Sequence, residues 1–229
     1  STGLDSFVVN SSALTISNNI TTANGLIDIN APVTLGADVT ISSGTGNGNV
    51  EFGSTIAGTQ NLDILSGSGA VTITGNIGGG AALTSLDINA TGASTGTGNI
   101  RILKNIGADT ASGAGVVTLG NTNTGTITFG TTSSEGEYFT TGAQTYNAAS
   151  YSLVGTDPDF NASSENIDFQ DGDNGMTLAA GSDLTVDTNA NEDGNITIAG
   201  AITSTDGQTT TVTLEAGSGT VNIAAIGDG

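Results

Sequence analysis

One short unit recurs along most of this chain and restricts what it can fold into. Two apolar residues flank one other residue, and a third apolar residue follows four positions later. Complete copies begin at Ile27, Val50, Val71, Ile100 and Ile196, and a shorter copy begins at Val221. Alternation with a period of two predicts a short strand with one buried face, and the gap after it predicts a bend into a second strand.

A second apolar pair precedes each of these copies. The pairs begin at Leu14, Val39, Leu62, Leu86, Leu184 and Val212, and Val117 begins a related pair ahead of Ile127. The connecting segments, such as 42–48 and 66–69, are rich in Gly, Ser, Asn and Thr, which favour turns. The spacing of successive pairs makes the repeat about 25 residues long.

Strands this short cannot bury a face alone, but coils stacked on one another enclose a continuous apolar column. The hexapeptides of left-handed β-helices and the nonapeptides of calcium β-rolls do not recur. We therefore predict an all-β chain that forms a right-handed parallel β-helix, a solenoid of about eight to nine coils of roughly 25 residues. A β-sandwich also has many short strands, but it does not explain the recurring unit.

Residues 1–229 are expected to form a single solenoid segment of a larger protein. The repeat is less regular at about 130–183, where two further turns are expected around 146–153 and 167–178. The chain shows no signal peptide and no evident terminal cap, which also suggests a piece of a longer protein. It has no Cys, and a large secreted protein without disulfides fits a bacterial exterior better than an animal one.

The charge of the chain limits its partners. Lys and Arg total 2, Asp and Glu total 22, and the formal net charge is −20. Such a chain repels nucleic acid and anionic membranes, because affinity for phosphate groups comes from Lys and Arg. No apolar run approaches the ~18–20 residues of a membrane span, so no membrane insertion is expected. The negative charge is able to attract cations, and it also keeps a long, flat-sided protein soluble.

Three segments, 69–77, 78–92 and 140–147, carry a resemblance to a known group of proteins. Their repeat style resembles that of filamentous-haemagglutinin-like exoproteins and giant bacterial β-strand-repeat surface proteins. The resemblance covers most of the chain and is weaker over 157–174. It implies export, a right-handed β-helical shaft and a role in adhesion, aggregation or cell-cell contact. It transfers no functional residue to this chain.

An acidic segment at 157–193 holds ten of the 22 carboxylates. Calcium takes six to eight oxygen ligands, mostly from carboxylates and carbonyls. The candidate calcium ligands stand close together beside glycines and are Asp168, Asp171, Asp173 and Asn174. Their spacing does not fit an EF-hand loop, and a solvated acidic loop is the alternative interpretation. No cofactor is required by the sequence, and calcium is the only one it suggests.

Two acidic side chains in successive apolar pairs are also expected to lie close together. Asp63 and Asp87 occupy the same outward position of successive repeats. They should therefore lie on adjacent coils, where like charges cost stability unless a cation or water separates them.

Glycoside hydrolysis is the one kind of catalysis for which the chain has suitable residues. The chain has no His, and Arg101 and Lys104 are its only cations, so the basic residue that a polysaccharide lyase needs is hard to supply. A glycosidase needs only two carboxylates at a set separation. The candidates for that pair are Asp157, Asp159, Asp171 and Asp173. Aromatic platforms for sugars are few, and we do not expect an enzyme.

The sequence thus predicts a structural or adhesive shaft segment of a large bacterial protein that is secreted or held on the cell surface. Its expected partners are the neighbouring repeats of the same protein and a cell-surface or glycan receptor, bound through loops at 130–183. One alternative is a polysaccharide-active β-helix that uses paired carboxylates at 157–173. A further alternative is a calcium-stabilised binding module.

Overall fold

The computed structural model describes residues 3–90, 96–108, 111–163, 165–171, 173–188, 194–205 and 209–227. This part of the chain contains strands and turns but no helix. In chain order the strands are β1 Phe7–Val9, β2 Leu14–Ile16, β3 Ile20–Thr21, β4 Ile27–Ile29, β5 Val33–Leu35, β6 Val39–Ser42, β7 Val50–Phe52, β8 Ile56–Ala57, β9 Asn61–Leu65, β10 Val71–Ile73, β11 Leu83–Ile88, β12 Ile100–Ile102, β13 Gly107–Ala108, β14 Ala111–Ser112, β15 Ala114–Gly120, β16 Thr126–Phe129, β17 Glu137–Thr140, β18 Gln144–Ala148, β19 Ser150–Leu153, β20 Asp159–Ala162, β21 Ile167–Asp171, β22 Met176–Leu178, β23 Leu184–Asp187, β24 Ile196–Ser204, β25 Val212–Glu215 and β26 Val221–Ile226.

The strands stack in parallel into three faces, which the chain visits in rotation. Face 1 contains β1, β4, β7, β10, β12, β16, β19, β22 and the second halves of β24 and β26. Face 2 contains β2, β5, β8, β17, β20, β23 and β25, and single bridges at Ile77 and Ile106 continue it between β8 and β17. Face 3 contains β3, β6, β9, β11, β15, β18, β21 and the first halves of β24 and β26.

This arrangement is a β-solenoid of about eight turns, and the predicted fold class is confirmed. The coils vary in length. On face 1, Phe7 is in register with Ile27, whereas Val71 is in register with the more distant Ile100. Within the described residues, the small β13–β14 pair is antiparallel, while every other pair of named strands is parallel.

The faces differ from the alignment of repeats suggested by the sequence. Leu14, Leu184 and Val212 were grouped with Val39, but they lie on face 2, where Leu14 is in register with Val33 and Leu184 with Val212. The copies that begin at residues 196 and 221 lie on face 3, not on face 1 with the earlier copies. The local pattern did not distinguish the faces, because all three present the same apolar alternation to the interior.

The interior is a continuous column of apolar side chains. On face 1 the residues in register from Ile27 to Ile127 are fully buried, and the intermediate members are Val50, Val71 and Ile100. Full burial of one such aliphatic side chain stabilises the fold by about 1.5–3 kcal/mol. A narrow column of this kind needs small aliphatic residues, which explains why the chain is rich in them.

Asn and Asp side chains join successive coils at the corners. Asn49 Oδ1 accepts a hydrogen bond from the backbone N–H of Ala70 at 3.0 Å, and Asn99 Oδ1 accepts one from Thr126 at 2.9 Å. Each of these residues directly precedes the first inward residue of a strand. The same bond is made by Asn19, Asp38, Asn166 and Asn195. These turn residues therefore satisfy backbone donors of the next coil as well as favouring the turn itself.

Candidate functional site

The first calcium candidate lies on face 3. Asp168 is half-buried at an outward position of β21, in register with Thr145 of the coil before and Thr197 of the coil after. The side-chain amide of Gln170 donates a hydrogen bond to Asp168 Oδ2 at 2.7 Å. One oxygen of this carboxylate is thus already held by a neighbour on the same strand.

The other three calcium candidates follow along the chain. Asp171 ends β21, and its side chain lies outside the described residues. Asp173 and Asn174 are exposed in the next turn, where the backbone N–H of Asn174 donates to the carbonyl of Ala149 at 2.9 Å. In the part of the chain that the structure describes, no three His, Cys, Asp or Glu side chains are grouped as metal ligands. The calcium site stays a prediction, and a melting temperature unchanged by millimolar calcium or by a chelator would reject it.

The four carboxylates considered for a glycosidase lie at two different places. Asp157 and Asp159 are at the entry to face 2, whereas Asp171 and Asp173 are at the exit from face 3. Asp157 Oδ1 accepts a hydrogen bond of 3.3 Å from the backbone N–H of Asp183. Asp157 therefore joins successive coils, as the Asn and Asp side chains at the corners do. A catalytic pair would therefore have to form within one of these places, together with acidic residues of neighbouring coils.

Asp159 is the described carboxylate whose surroundings fit such a pair. Glu137 is in register with it on the coil before, and Asp187 lies on the coil after, in register with Asn161. Asp159 Oδ1 is buried and has no hydrogen-bond partner among the described residues. Burial raises the pKa of Asp159, and the negative charges of Asp187 and Glu137 raise it further. Carboxyls with a raised pKa serve as general acids in glycoside hydrolysis.

Face 3 carries a pair of carboxylates on adjacent coils that the sequence singled out. Asp63 and Asp87 are in register on β9 and β11, as the sequence predicted. Asp63 Oδ1 is buried without a hydrogen-bond partner in the described chain. Burial raises the pKa of Asp63, and a hydrogen bond with the Thr40 side chain partly offsets this effect. Ionised Asp63 therefore lowers stability at neutral pH.

A groove of about 320 Å³ lies at the corner between faces 1 and 2. The connection from face 1 to face 2 is short between the inward residues Ile102 and Ile106, but it is much longer between Phe129 and Tyr138. The longer corner contains a turn closed by Ser134, whose buried Oγ accepts a hydrogen bond from the backbone N–H of Thr131 at 2.9 Å. We call this the corner groove, and its lining residues are Asn76, Lys104, Asn105, Ser134, Glu135 and Glu137.

The corner groove combines positive, negative and neutral polar groups. Lys104 is one of only two cationic residues in the chain, and it lines the groove with Glu135. The Asn105 amide donates to Glu137 Oε2 at 3.0 Å, and the backbone N–H of Glu137 donates to Asn105 Oδ1 at 3.4 Å. These two half-buried residues therefore hold each other in place across adjacent coils.

Sequence reasoning did not single out the corner groove. It directed attention to the acidic segment after Asp157, and it considered Lys104 only as one of the two cations of the chain. The long interval between Phe129 and Tyr138 was the available signal, because insertions in a solenoid project at its corners. That signal points to Glu135, which lies in the interval, but not to Asn76 or Lys104, since only the stacking of coils brings those two residues to the same groove.

Comparisons with known proteins returned no relative. No protein-family model, no curated protein and no solved structure matches this chain. The resemblance to filamentous-haemagglutinin-like proteins therefore stays a prediction. Among the described residues there is no helix with the length and apolar character needed to cross a membrane.

Proposed function

We propose that this chain is a structural and adhesive shaft segment of a large bacterial protein that is secreted or held on the cell surface. The observation that carries the proposal is the parallel stacking of coils on three faces over about eight turns. Face 1 has ten levels of strands and faces 2 and 3 have nine, so a spacing of about 4.8 Å makes a rod of roughly 40 Å. Backbone hydrogen bonds between coils run along the axis of this rod, so they resist extension.

Several other features support a role outside the cell. The net charge of −20 keeps an extended surface soluble, and a fold without Cys does not depend on disulfide formation. Two grooves in the described surface are lined mostly by polar residues. These properties suit a protein that presents its flanks to other surfaces. Neighbouring repeats of the same protein are its proposed partners along the axis.

Adhesion is tested with fluorescent beads that carry the whole chain. We expect such beads to remain on layers of bacterial or epithelial cells after washing, because the folded flanks provide the contact. The matched control is the double variant Ile27→Asp and Ile100→Asp, which places charges in the interior column and prevents folding. Retention that is equal for the folded chain and the unfolded variant would reject an adhesive role for the solenoid.

A polysaccharide-active β-helix is the second candidate, favoured by one observation. Asp159 has a raised pKa, which suits a general acid, and it stands in register with Glu137, which supplies a second carboxyl on the adjacent coil. Incubation with plant and microbial glycans, followed by a reducing-sugar assay, tests this candidate. Release that is abolished by both Asp159→Asn and Glu137→Gln, but not by Asp183→Asn, would support it. The absence of release from every glycan would reject it.

A further inference from the structure

The corner groove is a defined site on the flank of the proposed shaft, and its chemistry indicates what it binds. Its wall is formed by the long corner between Phe129 and Tyr138, and the buried Ser134 hydroxyl closes that turn. The turn is further held to the next coil, because the Thr156 N–H donates to the Ser134 carbonyl at 3.1 Å. The wall is thus tied to the solenoid by hydrogen bonds, and little ordering is needed when a ligand binds.

The corner groove is lined by donors and acceptors from three successive coils. Asn76, Lys104 and Glu135 are exposed and supply an amide, an ammonium and a carboxylate. Asn76, Asn105 and Glu137 directly precede Ile77, Ile106 and Tyr138, which pair on successive coils, so these three residues stand at roughly the 4.8 Å spacing of strands. Asn105 and Glu137 are joined by their 3.0 Å hydrogen bond in the same groove. Its lining has no aromatic residue and no large aliphatic residue.

We propose that the corner groove binds a neutral saccharide, whose adjacent hydroxyls donate to Glu135 and Glu137 and accept from Lys104 and Asn76. A hydroxyl group both donates and accepts, so a neutral polyol satisfies this mixed set of groups. Hydrogen bonds to the charged groups are the stronger ones in such a contact. This inference rests on the proposed adhesive function and names the chemical class of the receptor.

Charged ligands fit the corner groove less well. An anionic sugar would meet Lys104, but also Glu135, Glu137 and the −20 charge of the whole chain. A cationic amino sugar would be attracted by the carboxylates and repelled by Lys104. A neutral sugar avoids both repulsions. Because the groove is open and has no apolar platform, we expect a dissociation constant on the order of millimolar for one sugar unit. Many copies on one cell would increase the overall avidity.

The test is an NMR titration of the whole ¹⁵N-labelled chain with free glucose, galactose and mannose as neutral probes. Glucosamine and glucuronate are the charged counterparts. We expect at least one neutral hexose to shift the amide signals of Lys104, Asn105, Glu135 and Glu137 in a saturable way. Lys104→Met and Glu135→Gln should each weaken that binding about tenfold, the loss of about one good hydrogen bond to a charged group. Arg101→Met is the matched control, since it removes the other cation of the chain.

Three outcomes would overturn the inference. The first is that no neutral hexose shifts the amide signals at the groove. The second is that either charged sugar binds more tightly than the neutral hexoses. The third is that the shifts persist unchanged in the variant carrying both Lys104→Met and Glu135→Gln. Circular dichroism of each variant shows that it is folded, so lost binding is not mistaken for unfolding. Beads that adhere to cells while the titration fails would reject this ligand class and leave the proposed function standing. Sugar binding without bead adhesion would reject the adhesive function and leave the site standing.

Discussion

Two regions of the solenoid fill the same kind of interior in different ways. The aliphatic turns, residues 27–106, contain one inward aromatic residue, Phe52. The aromatic turns, residues 127–169, bring six buried rings together, and two successive coils each contribute one from every face. The first coil supplies Phe129, Tyr138 and Tyr146, and the next supplies Tyr151, Phe160 and Phe169. Ring centroids of contacting pairs are between 4.6 and 5.7 Å apart.

The aromatic turns also place a polar side chain at an inward position of a strand. Gln144 is fully buried at a position occupied by Val117 in the coil before and by Ile167 in the coil after. Its amide donates to the carbonyls of Tyr138 and Asn161, both at 2.8 Å, and its Oε1 accepts from the Tyr146 hydroxyl at 2.9 Å. In the aliphatic turns buried hydrogen bonds lie at corners, as between Asn89 and Ser66, whereas in the aromatic turns they join inward side chains of the strands and so specify one packing of the interior.

The largest expected loss of stability comes from removing one aromatic ring, and this loss is compared between the two regions. Phe160→Ala should cost about 5 kcal/mol and Phe52→Ala about 3 kcal/mol, the two ends of the usual range for a buried Phe. Both side chains are buried, but Phe160 contacts four other rings, those of Phe129, Tyr138, Tyr146 and Phe169. Urea unfolding measures the difference. Equal losses would show that the ring contacts add nothing to burial.

The buried amide gives the second prediction. Gln144→Leu should lower the free energy of unfolding by about 2–3 kcal/mol, because it leaves the Tyr146 hydroxyl without its acceptor and removes the amide that donates to two carbonyls. Leu62→Ile is the control at the same register position of face 3 in the aliphatic turns, and it should cost less than about 1.5 kcal/mol. A Gln144→Leu protein as stable as the parent would mean that the polar network is replaceable by apolar packing.

Two tyrosines of the aromatic turns differ in whether the hydroxyl group has a hydrogen-bond partner. The Tyr151 hydroxyl donates to the carbonyl of Tyr146 at 2.8 Å and also contacts the carbonyl of Gln170, whereas the buried Tyr138 hydroxyl has no partner among the described residues. Tyr151→Phe should therefore cost about 1 kcal/mol, and Tyr138→Phe should be neutral or slightly stabilising. Thermal unfolding of the two variants in parallel decides this, and a loss at Tyr138 larger than at Tyr151 would contradict it.

The smallest effects concern one carboxylate in each region. Asp159 and Asp63 both have a pKa raised from 3.8, so the folded chain binds more protons than the unfolded chain between that value and the folded pKa. Stability should therefore fall as pH rises through this window, and the loss persists at neutral pH. Asp159→Asn and Asp63→Asn should each raise the melting temperature at pH ~7 and flatten its pH dependence.

The increase should be larger for Asp159, because two negative neighbours act on it, while a hydrogen bond with Thr40 offsets part of the effect at Asp63. Asp5→Asn, at an exposed position, is the control and should leave the melting temperature unchanged. A lower melting temperature for Asp159→Asn at neutral pH would mean that its carboxylate makes a stabilising contact.

Much of the fold could be predicted from local pattern, and less of the site. Alternation at Ile27, Val50 and Val71 predicts strands with one buried face, and the regular interval between them predicts coils. The assignment of Leu14 and Leu184 to a face failed, because coils of unequal length shift the phase of the repeat. An Asn or Asp directly precedes many strands, and this pattern predicts the corners between faces. It was not used to align the repeats.

The sequence by itself determined that this chain forms stacked coils of short strands, because the apolar unit recurs at intervals of about one coil, which a β-sandwich does not explain. Only the tertiary structure decided which side chains meet. Phe129 and Phe160 are distant in the sequence, as are Lys104 and Glu135, yet the first pair is in ring contact and the second lines one groove. The physical reason is that stacking depends on the summed lengths of all the turns in a coil, which no single segment encodes.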